Sequence, residues 1–195
     1  MTPSTLRRVL AATVVAATLA GCNKPPPEQV VVQERPDVHP DLECAEPAWE
    51  AGAAPPQGTW VWCQVERSPG SYQRHGAAIH FYANGLKQEA GAFAMGKRDG
   101  PWTGWYATGQ TGYEGTYALG VKSGYWVEYH DTGHKKSAGQ MVNGDADGPW
   151  TYWNEAGQKE AEGNWVRGKR EGVWSTFDPS GRPSAERIWR DGRLV

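Results

Sequence analysis

The chain has 195 residues and a formal charge of −2 at pH 7, which gives it no attraction to nucleic acid. Eleven Trp and 25 Gly stand beside three Phe and three Met. That mix excludes an ordinary packed α/β core and asks for rings and tight turns used repeatedly.

Residues 1–21 read as a targeting segment. Arg7 and Arg8 precede an apolar run of twelve residues, 9–20, and a helix needs about 20 to span a bilayer. The following "LAGC", ending at Cys22, resembles a bacterial lipobox, whose Cys becomes the lipidated first residue of the mature chain. The resemblance implies a membrane link through acyl chains at Cys22. Loss of Arg7 and Arg8 takes the charge from −2 to −4, so anionic head groups add nothing to that link. Asn23 replaces the Asp that retains such lipoproteins at the inner membrane, which by resemblance favours the outer membrane, facing the periplasm. With Cys22 lipidated, Cys44 and Cys63 are left as a pair in an oxidising compartment, and a disulfide between them is expected.

Residues 22–57 carry eight of the 14 prolines and read as a spacer. At about 3.1 Å per residue, the stretch to Cys44 reaches roughly 60 Å. Residues 58–75, which include "TWVWCQVE", read as capping strands.

From Gly76 to the end the chain repeats five times at a spacing of 24 residues. Gly76, Gly100, Gly124, Gly148 and Gly172 form one column, and Gly91, Gly115, Gly139 and Gly163 form another that Arg187 breaks. Aromatic columns run between them: Trp102, Trp126, Trp150 and Trp174; then Phe81, Trp105, Tyr129, Trp153 and Phe177; then Phe93, Tyr117, Met141, Trp165 and Trp189. Each period holds two runs of about seven residues bounded by Gly, too short and too interrupted for helices, which predicts antiparallel hairpins in a meander. Two-residue first turns, such as Asn84-Gly85, place Trp102 across from Gly115, Trp126 from Gly139 and Trp150 from Gly163. Trp174 then faces Arg187, with a cation expected over the indole. Trp105 and Trp153 fall on the opposite face from Trp102 and Trp150.

The stretches "YEGTYALGVKSGYWVEYHDTG" and "AEGNWVRGKREGVWSTFDPSG" resemble MORN repeats, and specifically the bacterial MORN-variant proteins, some of which carry an antitoxin-like label. The resemblance covers residues 76–195 and departs at Ala78 and Arg187, as terminal repeats do. It implies an all-β, elongated antiparallel meander of hairpin repeats acting as a scaffold or binding surface, and it implies no reaction.

The stretch "NGDADGPWTYWNE" looks like a calcium loop, with oxygens at Asn143, Asp145 and Asp147. The twelfth position, which must supply a bidentate Glu, is Asn154, and Glu155 comes one residue late. An ordinary solvated turn is the expectation. His130 and His134 flank another turn with no third ligand in their repeat, and read as a surface pair. No nucleophile, metal or phosphate motif is present, and the acids of the strand columns are explained by cross-strand pairing. No catalytic residue, metal or cofactor is therefore assigned.

The expected function is a lipid-anchored cell-envelope protein that binds or scaffolds a protein partner. Its binding surface is read as Trp102, Trp105, Trp126, Tyr129, Trp150, Trp153, Trp165 and Trp174, since aromatic residues dominate interface hot spots. The alternatives are a module that stacks its rings on cell-wall sugars of peptidoglycan, and a periplasmic immunity protein of the antitoxin-like kind.

Overall fold

Short Gly-bounded runs rich in aromatic residues and Thr leave the backbone no satisfactory partner except a neighbouring strand. In the computed structural model, which describes residues 42–195, they form thirteen strands in one sheet. The signal segment, the lipidation at Cys22 and the spacer up to residue 41 lie outside the described residues.

An N-terminal trio comprises β1 (Trp49–Ala53), β2 (Trp60–Ser68) and β3 (Ser71–Phe81). Next come β4 (Lys87–Ala94), β5 (Lys97–Trp105), β6 (Thr111–Ala118), β7 (Val121–Tyr129) and β8 (Lys135–Val142). The series ends with β9 (Asp145–Trp153), β10 (Lys159–Val166), β11 (Lys169–Phe177), β12 (Pro183–Arg190) and β13 (Arg193–Leu194). The sheet is an open antiparallel meander in which each strand bonds only to its sequence neighbours, and all described elements are strands.

Two turn types alternate, and both differ from the expected ones. The first turn of each repeat has three loop residues. In the first of them the Tyr82 amide donates to the Leu86 carbonyl, and Gly85 closes the loop with φ of 85°. This is the three-residue hairpin with glycine in the left-handed region. A bulge then shifts the register between His80 and Phe81, and the same device recurs in each repeat. It absorbs the difference from a two-residue loop, so Trp102 still lies across from Gly115, Trp126 from Gly139 and Trp150 from Gly163.

The second turn, read at the calcium-like stretch as running on past Asp145, is only two residues long, as at Arg167 and Gly168. Both have positive φ, 48° and 75°, the pattern of a type I′ turn whose twist matches the flanking strands. A non-glycine residue in this region costs about 1–2 kcal/mol. Hydrogen bonds to the preceding repeat offset that cost: the Gly168 amide donates to Ala146 O at 2.9 Å and the Arg167 amide to an Asp147 carboxylate oxygen at 3.1 Å. The stretch from Asp145, read from sequence as part of a turn, is therefore the start of β9.

The spacer ends earlier than its composition suggested. Residues 49–53, assigned to it, form the edge strand β1, paired with β2 from Trp49↔Gln64 to Ala53↔Trp60. Leu42 and Ala48 are buried with Val61, Cys63, Ile79 and Phe81, and a disulfide joins Cys44 to Cys63 with Cα atoms 5.4 Å apart. The apolar pattern of β2 and β3 creates a small core that Leu42 and Ala48 help to fill, so residues 42–48 are packed on the sheet rather than a free tether.

Closing this 19-residue separation removes freedom mainly from the unfolded chain. We expect Cys44→Ala/Cys63→Ala to lose about 3 kcal/mol, measured by urea unfolding. An unchanged midpoint would contradict the clamp.

Candidate functional site

Alternation along strands gives the sheet two faces with different contents. On one, here the ring face, three rows cross the strands. The central row alternates indole and glycine: Gly91, Trp102, Gly115, Trp126, Gly139, Trp150, Gly163 and Trp174. The indole does not lie over the glycine of its own hairpin, as the sequence implied, but over the glycine of the preceding strand. A Cβ built on Gly91 would meet the Trp102 ring at 2.3 Å, and those on Gly139 and Gly163 would meet Trp150 and Trp174 as closely. The physical reason is a hydrogen bond. Trp102 Nε1–H donates to Ala92 O at 3.0 Å, Trp126 to Thr116 O at 3.1 Å, Trp150 to Gln140 O at 3.1 Å and Trp174 to Asn164 O at 3.1 Å. Each acceptor follows the covered glycine, beside a register shift in the pairing of the two strands.

A second row carries cations at the repeat spacing. The Arg74 guanidinium lies 4.7 Å from the Trp62 ring centre, Arg98 4.4 Å from Trp102, the Lys122 ammonium 4.2 Å from Trp126 and Arg170 4.4 Å from Trp174. The expected cation over Trp174 is thus Arg170, reaching from its own strand, and not Arg187. The order Arg74, Arg98, Lys122, Ala146, Arg170 was readable at the 24-residue period, and sequence reasoning missed it by following only rings and glycines.

The third row holds a polar cluster. Arg98 bonds Glu89 at 2.6 Å and the Tyr117 hydroxyl at 3.1 Å, and the Tyr113 hydroxyl donates to Glu89 at 3.0 Å. Burial first, then the adjacent carboxylate, pushes the Tyr113 hydroxyl far above its ordinary 10.0. Burial also lowers the His80 imidazole, against the pull of Glu89.

The opposite face carries Trp105, Tyr129, Trp153 and Phe177 in one row, each half-buried. Lys135 lies 5.9 Å from the Trp153 ring centre and Lys159 5.1 Å from Phe177. Beside them Tyr125, Val173 and Ile188 are 60%, 51% and 53% exposed, and Val173 pairs directly with Ile188.

The predicted binding surface therefore divides. Trp102, Trp126 and Trp174 are only 1%, 3% and 4% exposed and carry the protein's own cations, so they cannot serve as open contact rings, and Trp150, at 9%, is covered except where a cation would lie: the glycine column gave each of them a bed. Trp105, Tyr129 and Trp153 stay accessible on the other face. Trp165, on the ring face, donates its indole N–H to the Tyr152 hydroxyl at 3.1 Å. The exposed Tyr125 and Val173 were missed because Pro101 and Pro149 interrupt their column, and Ile188 because its column otherwise holds Ala92, Thr116, Gln140 and Asn164.

The calcium-like stretch has a structural use, with Asp147 holding the next turn through the Arg167 amide. His130 Nε2 bonds Trp153 O at 2.8 Å, and His134 Nδ1 bonds Glu155 O at 2.9 Å. Each ring holds the next repeat's backbone. Among the described residues no three His, Cys, Asp or Glu side chains converge as a metal site.

No family model matches the chain, and no curated protein matches it. Among solved structures, the crystal structure of a GtfA/B complex bound to UDP and GlcNAc is similar over 78% of this chain and 26% of that one, at 12% identity and a TM-score of 0.21. At that TM-score the likeness carries no argument.

The folded chain binds the Tyr113 proton more tightly than the unfolded chain does. Its contribution is complete below pH 10.0 and is lost as pH rises through the raised value. Urea unfolding of Tyr113→Phe is expected to show a shallower alkaline decline than the parent. Parallel declines would remove Tyr113 as the cause.

Proposed function

We propose that this is a lipid-anchored cell-envelope protein whose hairpin sheet binds or scaffolds a protein partner through the face bearing Trp105, Tyr129 and Trp153. The observation that carries this reading is the unequal use of the two faces. The ring face is filled by the protein's own indoles, whereas the opposite face leaves Tyr125, Val173 and Ile188 more than half exposed. Apolar residues aligned in rows across several strands, with lysines between the rings, have the composition of a contact surface more than of a chance scatter.

Bonding between sequence neighbours alone supports a scaffold role, because repeat arrays of this kind offer long surfaces assembled from equivalent units. The resemblance of the glycine and aromatic columns to MORN repeats supports the same reading. The lipobox resemblance at Cys22 supplies the anchor. The chemistry is binding and not catalysis: the hydrogen-bonded acids and histidines are committed to neighbouring backbone and side chains.

The test is photo-cross-linking from position 125 in intact cells, with the lipid anchor retained. One dominant protein adduct is expected, reduced on the order of tenfold by Trp153→Ala with an unchanged thermal midpoint. Cell-wall fragments as the sole adduct would replace the protein partner with peptidoglycan, and equal capture by Trp153→Ala would remove this face from the contact. Cys22→Ser is expected to shift the protein from the membrane to the soluble fraction. Retention in the membrane would overturn the anchor.

A further inference from the structure

The cation row of the ring face has one interruption. Arg98 pairs with Phe93 across the β4–β5 hairpin, Lys122 with Tyr117, and Arg170 with Trp165. Each of these cations lies over the central indole of its repeat. At the fourth place in the row the same register position pairs Ala146 with Met141. Cation and aromatic partner are replaced together, and among the described residues no Lys or Arg stands over the Trp150 ring.

We propose that this gap is a binding slot for a guanidinium or ammonium group of a partner peptide, which takes the place that arginine or lysine fills in the neighbouring repeats. The surroundings suit that occupant. Trp150 is the least covered of the four central indoles, at 9% exposed against 1%, 3% and 4%. Its ring is fixed in direction by the bond to Gln140 O and by stacking on Tyr152, with centroids 6.3 Å apart and planes at 28°. Trp165, which would otherwise be free to turn, is tied to the Tyr152 hydroxyl. Met141 is a flexible, polarizable wall of the kind that adapts to a ligand.

Electrostatics favour a cation as well. Glu128 lies on the same face, in the row that also holds Ser137 and Tyr152. Its carboxylate accepts a hydrogen bond from the Ser137 hydroxyl at 3.3 Å and has no lysine or arginine partner among the salt bridges of the described residues. An indole face attracts a positive group, and a carboxylate in the adjoining row favours a positive charge over a negative one. The slot lies on the face opposite Trp105 and Trp153, so it stands or falls separately from the contact surface proposed above.

The test follows the indole N–H resonance of Trp150 in the full-length chain, identified by its loss in Trp150→Phe, during titration with N-acetyl-arginine amide. N-acetyl-citrulline amide, which has nearly the same shape and no charge, is the control. We expect a saturable shift with arginine, at least a fivefold smaller one with citrulline, and no shift in Ala146→Arg, whose own side chain fills the slot. We also expect a higher thermal midpoint for Ala146→Arg than for the parent. No arginine-dependent shift up to saturation, an equal shift with citrulline, or a lower midpoint in Ala146→Arg would each overturn the proposal.

Discussion

An indole laid on a glycine, with its N–H bonded to the next carbonyl, is the interaction on which the rest of this sheet depends. A single open sheet has two faces to cover, and among the described residues no helix or second sheet covers them. The rings supply the missing layer from within. Burying about 200 Å² of indole at about 25 cal/mol per Å² contributes about 5 kcal/mol before entropy. Glycine inside a strand costs about 0.5–1 kcal/mol relative to alanine, so the exchange favours the pair several-fold. It also explains why the glycine is needed: a methyl on Gly115 would meet the Trp126 ring at 2.2 Å.

The same contact sets the geometry of everything beside it. The carbonyl that accepts the indole N–H sits beside a bulge in every repeat, so ring and bulge occur together. The bulge brings a positive-φ glycine into the strand, at Gly100, Gly124, Gly148 and Gly172. The next turn then closes on the preceding repeat, with the Gly120 amide on Arg98 O at 2.7 Å and the Gly144 amide on Lys122 O at 3.0 Å. Strand pairing and turn docking thus join the same neighbours, and stability passes along the chain from repeat to repeat. The N-terminal end is closed by the disulfide and by Leu42 and Ala48, whereas β12 and β13 leave Ile188, Leu194 and Val195 exposed.

Much of this was legible because a period of 24 residues converts composition into position. Columns of glycine and aromatic residues gave the strand count per repeat and the pairing of Trp102 with Gly115, and alternation separated Trp102 from Trp105. Three things were not legible. Register says which residues are opposite, but not which way a long side chain leans, so the ring was assigned to the wrong one of two flanking glycines. Turn length was misread because left-handed Leu119 and Arg167 look unfavourable until the preceding repeat's hydrogen bonds are counted. The spacer was misread because prolines report local extension and say nothing of whether Leu42 finds a pocket over Ile79.

Division of labour between the faces follows from that lean. Because each indole turns back over its own sheet, the ring face is sealed in the repeats where arginine or lysine also lies across the ring. Nothing equivalent happens opposite, where no glycine bed accepts Trp105, Tyr129 or Trp153 and each ring stays half covered beside a strand pair or a lysine. The glycine column therefore decides not only what holds the sheet together but also which rings remain available for another molecule. A repeat that changes this column or its cation row changes the surface without changing the fold, as Ala146 does on one face and Arg187 does at the end of the glycine column.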